Sequence, residues 1–197
     1  IIVSPSGSSL NVKFNFNRNK KLKIGYFGSI YKSRGAEIFI RLSKIDKNND
    51  YYLCGELNKY KSIKNNFDNL KLKNYIPYKN LFNYISKMDL LLMPYLSSAT
   101  ATGNVGNIIN YTSPLKLFDY LASGKVIIAS DIPVLKEIIN NNNAVFIKNF
   151  ENIWSWKQEV EKISNSISRR FIISKNNYKL SKNFTLNNRA KKILNGI

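Results

Sequence analysis

The feature of this sequence that most limits its fold is a regular alternation of short apolar runs with segments of helical periodicity. Two of the runs, Leu90–Pro94 and Val126–Ala129, contain no polar residue. Such a strand is typically buried on both faces, as in a parallel sheet that helices cover on both sides. The alternation therefore predicts an α/β fold with right-handed crossovers between parallel strands.

The full pattern predicts one doubly wound, Rossmann-like sheet of about six strands, followed by two or three C-terminal helices from Glu151 onward. No internal repeat or long linker divides the chain. We therefore expect a single domain at residues 21–197, preceded by a stub at residues 1–20. The predicted strands lie at residues 23–28, 51–55, 70–75, 90–94, 126–129 and 144–147. The predicted helices between them lie at residues 36–46, 58–66, 81–88, 113–123 and 133–139, and residues 96–112 are predicted as a mobile loop.

Composition restricts the possible functions. The chain has no histidine, which removes the commonest general base and metal ligand. Its single cysteine, Cys54, cannot form an internal disulfide and fits a reducing compartment. No apolar run approaches the ~20 residues of a membrane-spanning helix. The first residue is not Met, so we expect the chain to be part of a longer protein.

The formal net charge of +19 has two interpretations. It can form a basic surface for phosphates, nucleic acid or an anionic membrane. It can also reflect codon bias, because the lysines are scattered and no basic block reaches six residues. A sequence-specific nucleic-acid reader is not expected, since clustered arginines on a recognisable module are missing.

Ligands of doubly wound sheets bind at the carboxyl ends of the strands, and three such ends are unusual here. The first is the segment from Gly28 to Gly35, where glycine permits close approach and Lys32 and Arg34 could meet an anion at a helix N-terminus. The segment matches neither a Walker loop nor a G-x-G-x-x-G motif. An ordinary strand-to-helix turn is the alternative.

The second strand end opens a helix, with Ser113 predicted as its cap and Pro114 as its first residue. Lys116 and Asp119 are three positions apart and therefore share a face. Free N–H groups beside a lysine, with a carboxylate one turn on, would suit a diphosphate joined to a ribose. The alternative is a capped helix with a surface ion pair.

The third strand end runs from Ala129 to Glu137, and Glu137 lies on the helix that begins at Pro133. The alternative to a functional role for Glu137 is that it is an ordinary solvent-exposed helix residue. Other residues are interpreted as structural. Cys54 is expected to pack in the core, and Trp154 and Trp156 are expected in the core or at a domain contact.

Taken in order, these segments resemble the C-terminal, donor-binding half of a GT-B glycosyltransferase of family 4 (group 1). The resemblance covers about residues 22–195 and is carried by several motifs in consistent order. The longest is Ser113–Glu137, which is similar to the family's SPLK…GKP…E signature nearly throughout. Shorter matches lie at residues 25–29 with 34–35, 75–78, 88–89, 94–95 and 184–190.

The resemblance implies contacts with a nucleotide sugar. Gly28, Ser29 and Arg34 are similar to the segment that contacts the diphosphate. Ile76, beside Tyr75, is similar to the wall of the base pocket. These two segments would lie at the same edge of the sheet.

The resemblance also implies contacts at the helix that follows residue 112. The segment of Thr112, Ser113, Pro114 and Leu115 would offer backbone N–H groups to the phosphates and the sugar. Asp119 stands where the family usually has the second Glu of a pair, which holds the ribose hydroxyls, and its side chain is one methylene shorter. Tyr111 stands at the first Glu. Arg34 and Lys116 are implied to be the catalytic cations that stabilise the leaving diphosphate.

The implied activity is a retaining, hexosyltransferase-type reaction that needs no metal or other cofactor. The sugar would pass from a nucleotide sugar to a glycan or lipid-linked acceptor in cell-surface polysaccharide synthesis. The implied partners are the nucleotide sugar, a missing N-terminal acceptor domain and an anionic membrane surface, with a cytoplasmic location at the inner membrane face. The isolated domain is expected to be inactive. Two other classes stay open: a non-catalytic nucleotide- or glycan-binding module, and a basic domain that binds nucleic acid or a membrane surface.

Overall fold

The computed structural model describes residues 4–10, 12–30, 35–57, 68–97, 109, 111 and 113–195. The helix predicted at residues 58–66 and most of the loop predicted at residues 96–112 lie outside this part of the chain.

The described residues form a six-stranded, fully parallel sheet in the order β3-β2-β1-β4-β5-β6. This confirms the doubly wound architecture, and the chain reverses its direction of travel across the sheet between β1 and β4. A ligand crevice is expected at that switch point. The strands are β1 Lys23–Phe27, β2 Asp50–Cys54, β3 Leu70–Lys73, β4 Leu90–Met93, β5 Val126–Ser130 and β6 Ala144–Ile147.

Seven helices are present in the described residues, and three of them follow the sheet, as predicted. The helix predicted at residues 81–88 begins directly after Pro77 and ends at Ile85. The helix predicted to reach Ile139 ends at Lys136, because the following residues form a turn. The helices are α1 Ala36–Ile45, α2 Tyr78–Ile85, α3 Leu115–Ala122, α4 Pro133–Lys136, α5 Ile153–Ser164, α6 Ile167–Ser181 and α7 Leu186–Leu194.

The interior strands β4 and β5 are buried on both faces, as their apolar runs predict. Leu92 and Ile128 belong to the hydrophobic cluster that contains α1 and α5, whereas Leu91 and Ile127 belong to the cluster that contains α2 and α3. This alternation is the two-residue period of a strand. The sheet is therefore the middle layer of three.

The two tryptophans differ in environment. Trp156 is fully buried and donates from Nε1 to the Phe150 carbonyl at 2.8 Å, which confirms a core position. Trp154 is 56% exposed, so a core position is wrong for this residue. Both lie at the start of α5, but only one of two nearby helical positions can face the sheet.

The N-terminal segment contacts the C-terminal helices. The Ser8 N–H donates to the Phe184 carbonyl at 2.9 Å, and the Tyr178 hydroxyl donates to the Val12 carbonyl at 3.1 Å. The ring of Phe14 lies 5.4 Å from that of Tyr178, centroid to centroid. These contacts place Ser8 near the carboxyl edge of the sheet. The division at residue 20 stays a prediction.

Candidate functional site

A cavity of about 270 Å³ lies at the carboxyl ends of β1 and β2, against one side of α3. We call it the strand-end cavity. Several of its lining residues come from three distant segments that the sequence singled out. The lining includes six predicted site residues: Gly28, Ser29, Tyr75, Ile76, Lys116 and Asp119. The other lining residues are Phe27, Cys54, Gly55, Glu56, Tyr78 and Leu81.

The remaining predicted site residues are placed differently. Arg34 and Thr112 lie outside the described residues. Ser113 and Leu115 are exposed and Pro114 is buried, and these three do not line the strand-end cavity. The structure therefore brings together residues of the turn after β1, of the segment after β3 and of α3, but not the residues at the start of α3.

The start of α3 differs from the prediction. The helix begins at Leu115, with Pro114 in the capping position, and the Ser113 side chain makes no capping hydrogen bond. Pro114 has ψ of 64°, outside the helical range, so it cannot be the first helical residue. Instead, the Leu115 N–H donates to the Ser113 carbonyl at 2.9 Å. The helix stops at Gly124 with φ of 63°, as predicted.

The turn after β1 is fixed by two buried tyrosines. The Phe27 N–H donates to the Tyr120 hydroxyl at 2.9 Å, and that hydroxyl donates to the Phe27 carbonyl at 3.3 Å. Burial raises the pKa of Tyr120 well above its usual value, so the hydroxyl keeps its proton. The Tyr26 hydroxyl donates to the Ser29 carbonyl at 2.8 Å. Gly28 lies between Phe27 and Ser29, the two residues that these tyrosines hold. Its φ of 147° is a backbone conformation that favours glycine.

Lys116 presents its ammonium group at the same turn. Its Nζ lies 4.4 Å from the ring centroid of Tyr26 and 5.3 Å from that of Tyr95, and both rings are buried. Cation–π attraction of this kind holds a lysine in place without neutralising it. A positive charge is therefore positioned beside Gly28 and Ser29.

Asp119 lies one helical turn beyond Lys116 and is held by two hydroxyl groups. Its Oδ1 accepts hydrogen bonds from Ser8 Oγ at 2.7 Å and from the Tyr78 hydroxyl at 2.9 Å. Burial raises the pKa of Asp119, and the two hydrogen bonds partly oppose that shift. The carboxylate is thus oriented before any ligand arrives.

The sequence did not reveal either hydroxyl partner of Asp119. Tyr78 lies inside a motif that the sequence singled out, so proximity to the site could have been inferred. Ser8 is 111 positions from Asp119 and belongs to no recognisable pattern. Only the path of the N-terminal segment along α6 and α7 brings it to Asp119.

Tyr111 and the third strand end do not line the strand-end cavity, whereas Cys54 does. Tyr111 is 85% exposed. The third strand end forms a wider depression of about 630 Å³ that is open to solvent, where Lys136 pairs with Asp131 and Glu137 is exposed. Cys54 is buried, as predicted, and burial raises the pKa of its thiol to about 11.

In the part of the chain that the structure describes, no three cysteine or carboxylate side chains come together in a way that could hold a metal ion. No helix in the described ranges is long and apolar enough to cross a membrane.

Comparisons with known proteins agree on one family and one fold. A family model described as "Glycosyl transferases group 1" matches residues 21–166, which is more than half of the chain. No curated protein sequence gives a significant match.

Among solved structures, the crystal structure of TarM has a TM-score of 0.71 at 14% identity and covers 96% of this chain. HepE from Anabaena, in complex with UDP and glucose, has a TM-score of 0.67 at 11% identity and covers 90% of this chain. Sucrose-phosphate synthase from Thermosynechococcus elongatus has a TM-score of 0.67 at 14% identity and covers 89%. The matched regions are 37%, 48% and 44% of those three chains, so this chain spans less than half of each. The fold is that of a GT-B half-domain.

Proposed function

The chain belongs to the group 1 glycosyltransferases, and we propose that it is the C-terminal, donor-binding domain of a retaining family 4 enzyme. The strand-end cavity would hold a nucleotide sugar. The complete protein would transfer a hexose from that donor to a glycan or lipid-linked acceptor in cell-surface polysaccharide synthesis. We expect no transfer by this domain alone, because the acceptor would be held by a further, N-terminal domain.

The observation that carries this proposal is the shared orientation of Lys116 and Asp119. Both side chains line the strand-end cavity from one face of α3, about 4.5 Å apart along the helix axis. A cation beside Gly28 and Ser29 suits a diphosphate. A carboxylate one turn further suits the hydroxyl groups of a ribose. The distance between a nucleotide's phosphates and its ribose is short enough for both contacts at once.

The base would lie against the segment after β3. Ile76 is buried in the wall of the strand-end cavity, and Tyr75 is 66% exposed at its rim. An apolar wall and an aromatic ring are the surfaces on which a base packs. The three parts of a nucleoside diphosphate would thus meet three separate segments of the chain.

The proposed chemistry is electrostatic. The bond between the anomeric carbon and the phosphate oxygen breaks, and its electron pair leaves with the nucleoside diphosphate. Lys116 and Arg34, together with the backbone N–H groups of Thr112 and Ser113, would stabilise the negative charge that develops there. The acceptor oxygen bonds to the anomeric carbon, and its proton passes to an oxygen of the departing diphosphate. This sequence of events assigns no step to a metal or other cofactor.

UDP-glucose is the first donor to test, because structures of Anabaena HepE contain UDP and UDP-glucose. We expect calorimetry with the 197-residue chain to show binding of UDP, GDP or ADP, or of the matching sugar nucleotide. No binding by any of them would contradict the proposal. Nucleotide binding without sugar transfer by the complete protein would favour the non-catalytic module.

The proposed location is the cytoplasmic side of the inner membrane. The +19 charge supports contact with anionic headgroups, since each lysine near such a surface contributes on the order of 1 kcal/mol. The same charge would also attract nucleic acid without sequence preference. Vesicle and RNA titrations distinguish these surfaces from the nucleotide site.

A further inference from the structure

A second cavity, of about 290 Å³, lies at the β3 edge of the sheet, on the face that α2 covers. We call it the β3-edge cavity. Its apolar lining includes Phe27, Cys54 and Met88, which belong to the hydrophobic cluster on the α2 side of the sheet, and we call these three residues its floor. Its polar lining residues are four lysines and two tyrosines: Lys23, Lys71, Lys73, Lys87, Tyr52 and Tyr84.

Strand register explains why these residues converge. Lys71 is paired with Tyr52 across the β2–β3 ladder, and Lys73 is paired with Cys54. Residues two apart on a strand share a face, so both lysines point to the side of α2. Lys87 follows the end of α2 and reaches the same recess. Residues that look scattered in the sequence are therefore neighbours in space.

The lysines are arranged on the tyrosine rings. Lys71 Nζ lies 5.2 Å from the ring centroid of Tyr52 and donates to its hydroxyl at 3.3 Å. Lys73 and Lys87 place their Nζ atoms 5.7 and 5.8 Å from the ring centroid of Tyr84. Each ammonium group is oriented without a carboxylate.

The positive charge of this cavity is not compensated within the described residues. No carboxylate lines it, and none of its four lysines forms an ion pair there. Asp50, which is paired with Lys23 in the strand register, forms an ion pair with Lys21 at 2.8 Å, and the Asp89 carboxylate accepts a hydrogen bond from the Lys23 backbone N–H at 2.9 Å. Like charges around one recess repel one another, and an anion between them would relieve that repulsion.

We propose that the β3-edge cavity binds a sugar that carries a phosphate or carboxylate group. The lysines would contact the anionic group, and the apolar floor and tyrosine edges would contact the C–H face of the sugar ring. This site adjoins the strand-end cavity and shares Phe27 and Cys54 with it, but its four lysines do not line that cavity. It extends beyond the proposed function and stands or falls independently of it.

The shape and lining of the cavity favour a small anionic sugar over two other anions. Single-stranded nucleic acid stacks its bases on open aromatic faces. Here lysine ammonium groups lie over the rings. A bilayer presents a broad plane of headgroups, whereas these apolar atoms lie at the bottom of a recess of about 290 Å³. The lining therefore favours a ligand that combines one anionic group with an apolar face.

The test is a titration of the 197-residue chain with glucose 6-phosphate and with glucuronate, with glucose and inorganic phosphate as controls. We expect both anionic sugars to bind at least about tenfold more tightly than either control, because only they use both the charge and the floor. Amide NMR shifts at Leu72 and Met88 should locate the ligand in the cavity. Equal affinities for phosphate and glucose 6-phosphate would overturn the proposal. It would also be overturned if an RNA oligonucleotide displaced glucose 6-phosphate and the bound sugar phosphate caused no shifts at the Leu72 and Met88 amides.

The variant pair Lys71→Gln/Lys87→Gln should weaken glucose 6-phosphate binding about tenfold or more. The control pair Lys179→Gln/Lys191→Gln removes the same charge from exposed positions on α6 and α7 and should leave that binding unchanged. UDP binding should be the same in all three proteins, because none of these lysines lines the strand-end cavity. Equal loss in both variant pairs would show an effect of net charge alone and would overturn the proposal. Failure of UDP to bind would contradict only the proposed function.

Discussion

Ser8 Oγ lies 2.7 Å from Asp119 Oδ1, although 111 positions separate the two residues along the chain. Ser8 is held in turn by backbone hydrogen bonds to Phe184 and Leu186. The carboxylate that we assign to the ribose is therefore positioned by the N-terminal segment as well as by its own helix. This relationship makes the ribose contact sensitive to residues far from the site.

The first prediction concerns the charge of Asp119. If its carboxylate accepts the ribose hydroxyls, Asp119→Asn should keep the shape of the site but weaken UDP binding by about 1–2 kcal/mol. A dideoxyribose nucleotide, which lacks those hydroxyls, should bind both proteins alike. Calorimetry with the two nucleotides measures the difference. A variant that still distinguishes ribose from dideoxyribose as wild type does would remove Asp119 from the contact.

The second prediction concerns the hydroxyl of Ser8. Its hydrogen bond lowers the pKa of Asp119, so Ser8→Ala should raise that pKa further. UDP affinity should then be lost at a higher pH than in wild type as the solution is acidified. Calorimetry across pH 4–7 checks this, with Ser4→Ala as the matched control. The Asp119→Asn variant lacks the titrating carboxylate, so its pH profile shows how far protonation of UDP itself changes the affinity. Superimposable profiles for Ser8→Ala and wild type would contradict the role of Ser8.

The third prediction concerns the cation at the turn after β1. Lys116→Gln should weaken UDP binding by about 1.5–3 kcal/mol, because a charge-assisted hydrogen bond to phosphate is lost. Lys182→Gln is the control, since Lys182 also lies over a tyrosine ring, 4.3 Å from the centroid of Tyr178, but away from the cavity. Arg34→Ala should have an effect similar to that of Lys116→Gln. Equal affinities for Lys116→Gln and wild type would exclude Lys116 from the phosphate site.

The fourth prediction concerns stability without ligand. Burial raises the pKa of Asp119 above its ordinary value of 3.8, so the folded state binds this proton more readily than the unfolded state. Protonated Asp119 therefore contributes to the free energy of unfolding. This contribution is fully present below pH 3.8 and is lost as the pH rises through the pKa of the folded state. Asp119→Asn should therefore be more stable than wild type at pH 7, and this advantage should shrink towards pH 3.5. Urea unfolding at the two pH values measures both, and an advantage that grows on acidification would contradict the sign.

The fifth prediction concerns the membrane. Scattered lysines bring only a few charges to a flat surface together, so we expect weak attachment to anionic vesicles and none to neutral ones. Screening acts within a Debye length of ~8 Å at physiological salt, and co-sedimentation should fall sharply from low to moderate salt. Binding that persists in high salt would indicate an apolar anchor instead. No binding at any salt would favour codon bias as the origin of the charge.

The sequence predicted the parts of the fold that depend on local periodicity. The runs at Leu90–Pro94 and Val126–Ala129 are apolar throughout, and both form interior strands of the sheet. The start of α3 was less predictable, because Ser113-Pro114 fits a cap followed by a first helical residue, whereas Pro114 has a non-helical ψ. The exposure of Trp154 could not be predicted, because Trp154 and Trp156 lie two positions apart in the same helix and have nearly the same sequence context.

Contacts between distant segments were beyond the sequence for a different reason. Lys116 and Asp119 could be placed on one face because helical spacing is local. Ser8 and Asp119 meet only through the path of the chain around α6 and α7. The lysines of the β3-edge cavity looked scattered, because strand register, and not sequence separation, decides which of them are neighbours.

The pair of hydrogen bonds between Tyr120 and Phe27 has a mechanical consequence. It ties the last residue of β1 to the middle of α3, so the Gly28–Ser29 turn and the carboxylate of Asp119 belong to one rigid unit. The spacing between these two parts of the site is therefore built into this chain. On our proposal, opening or closing of an adjoining domain would change how a nucleotide enters and leaves the cavity. The distance between the proposed phosphate contact and the proposed ribose contact would stay the same.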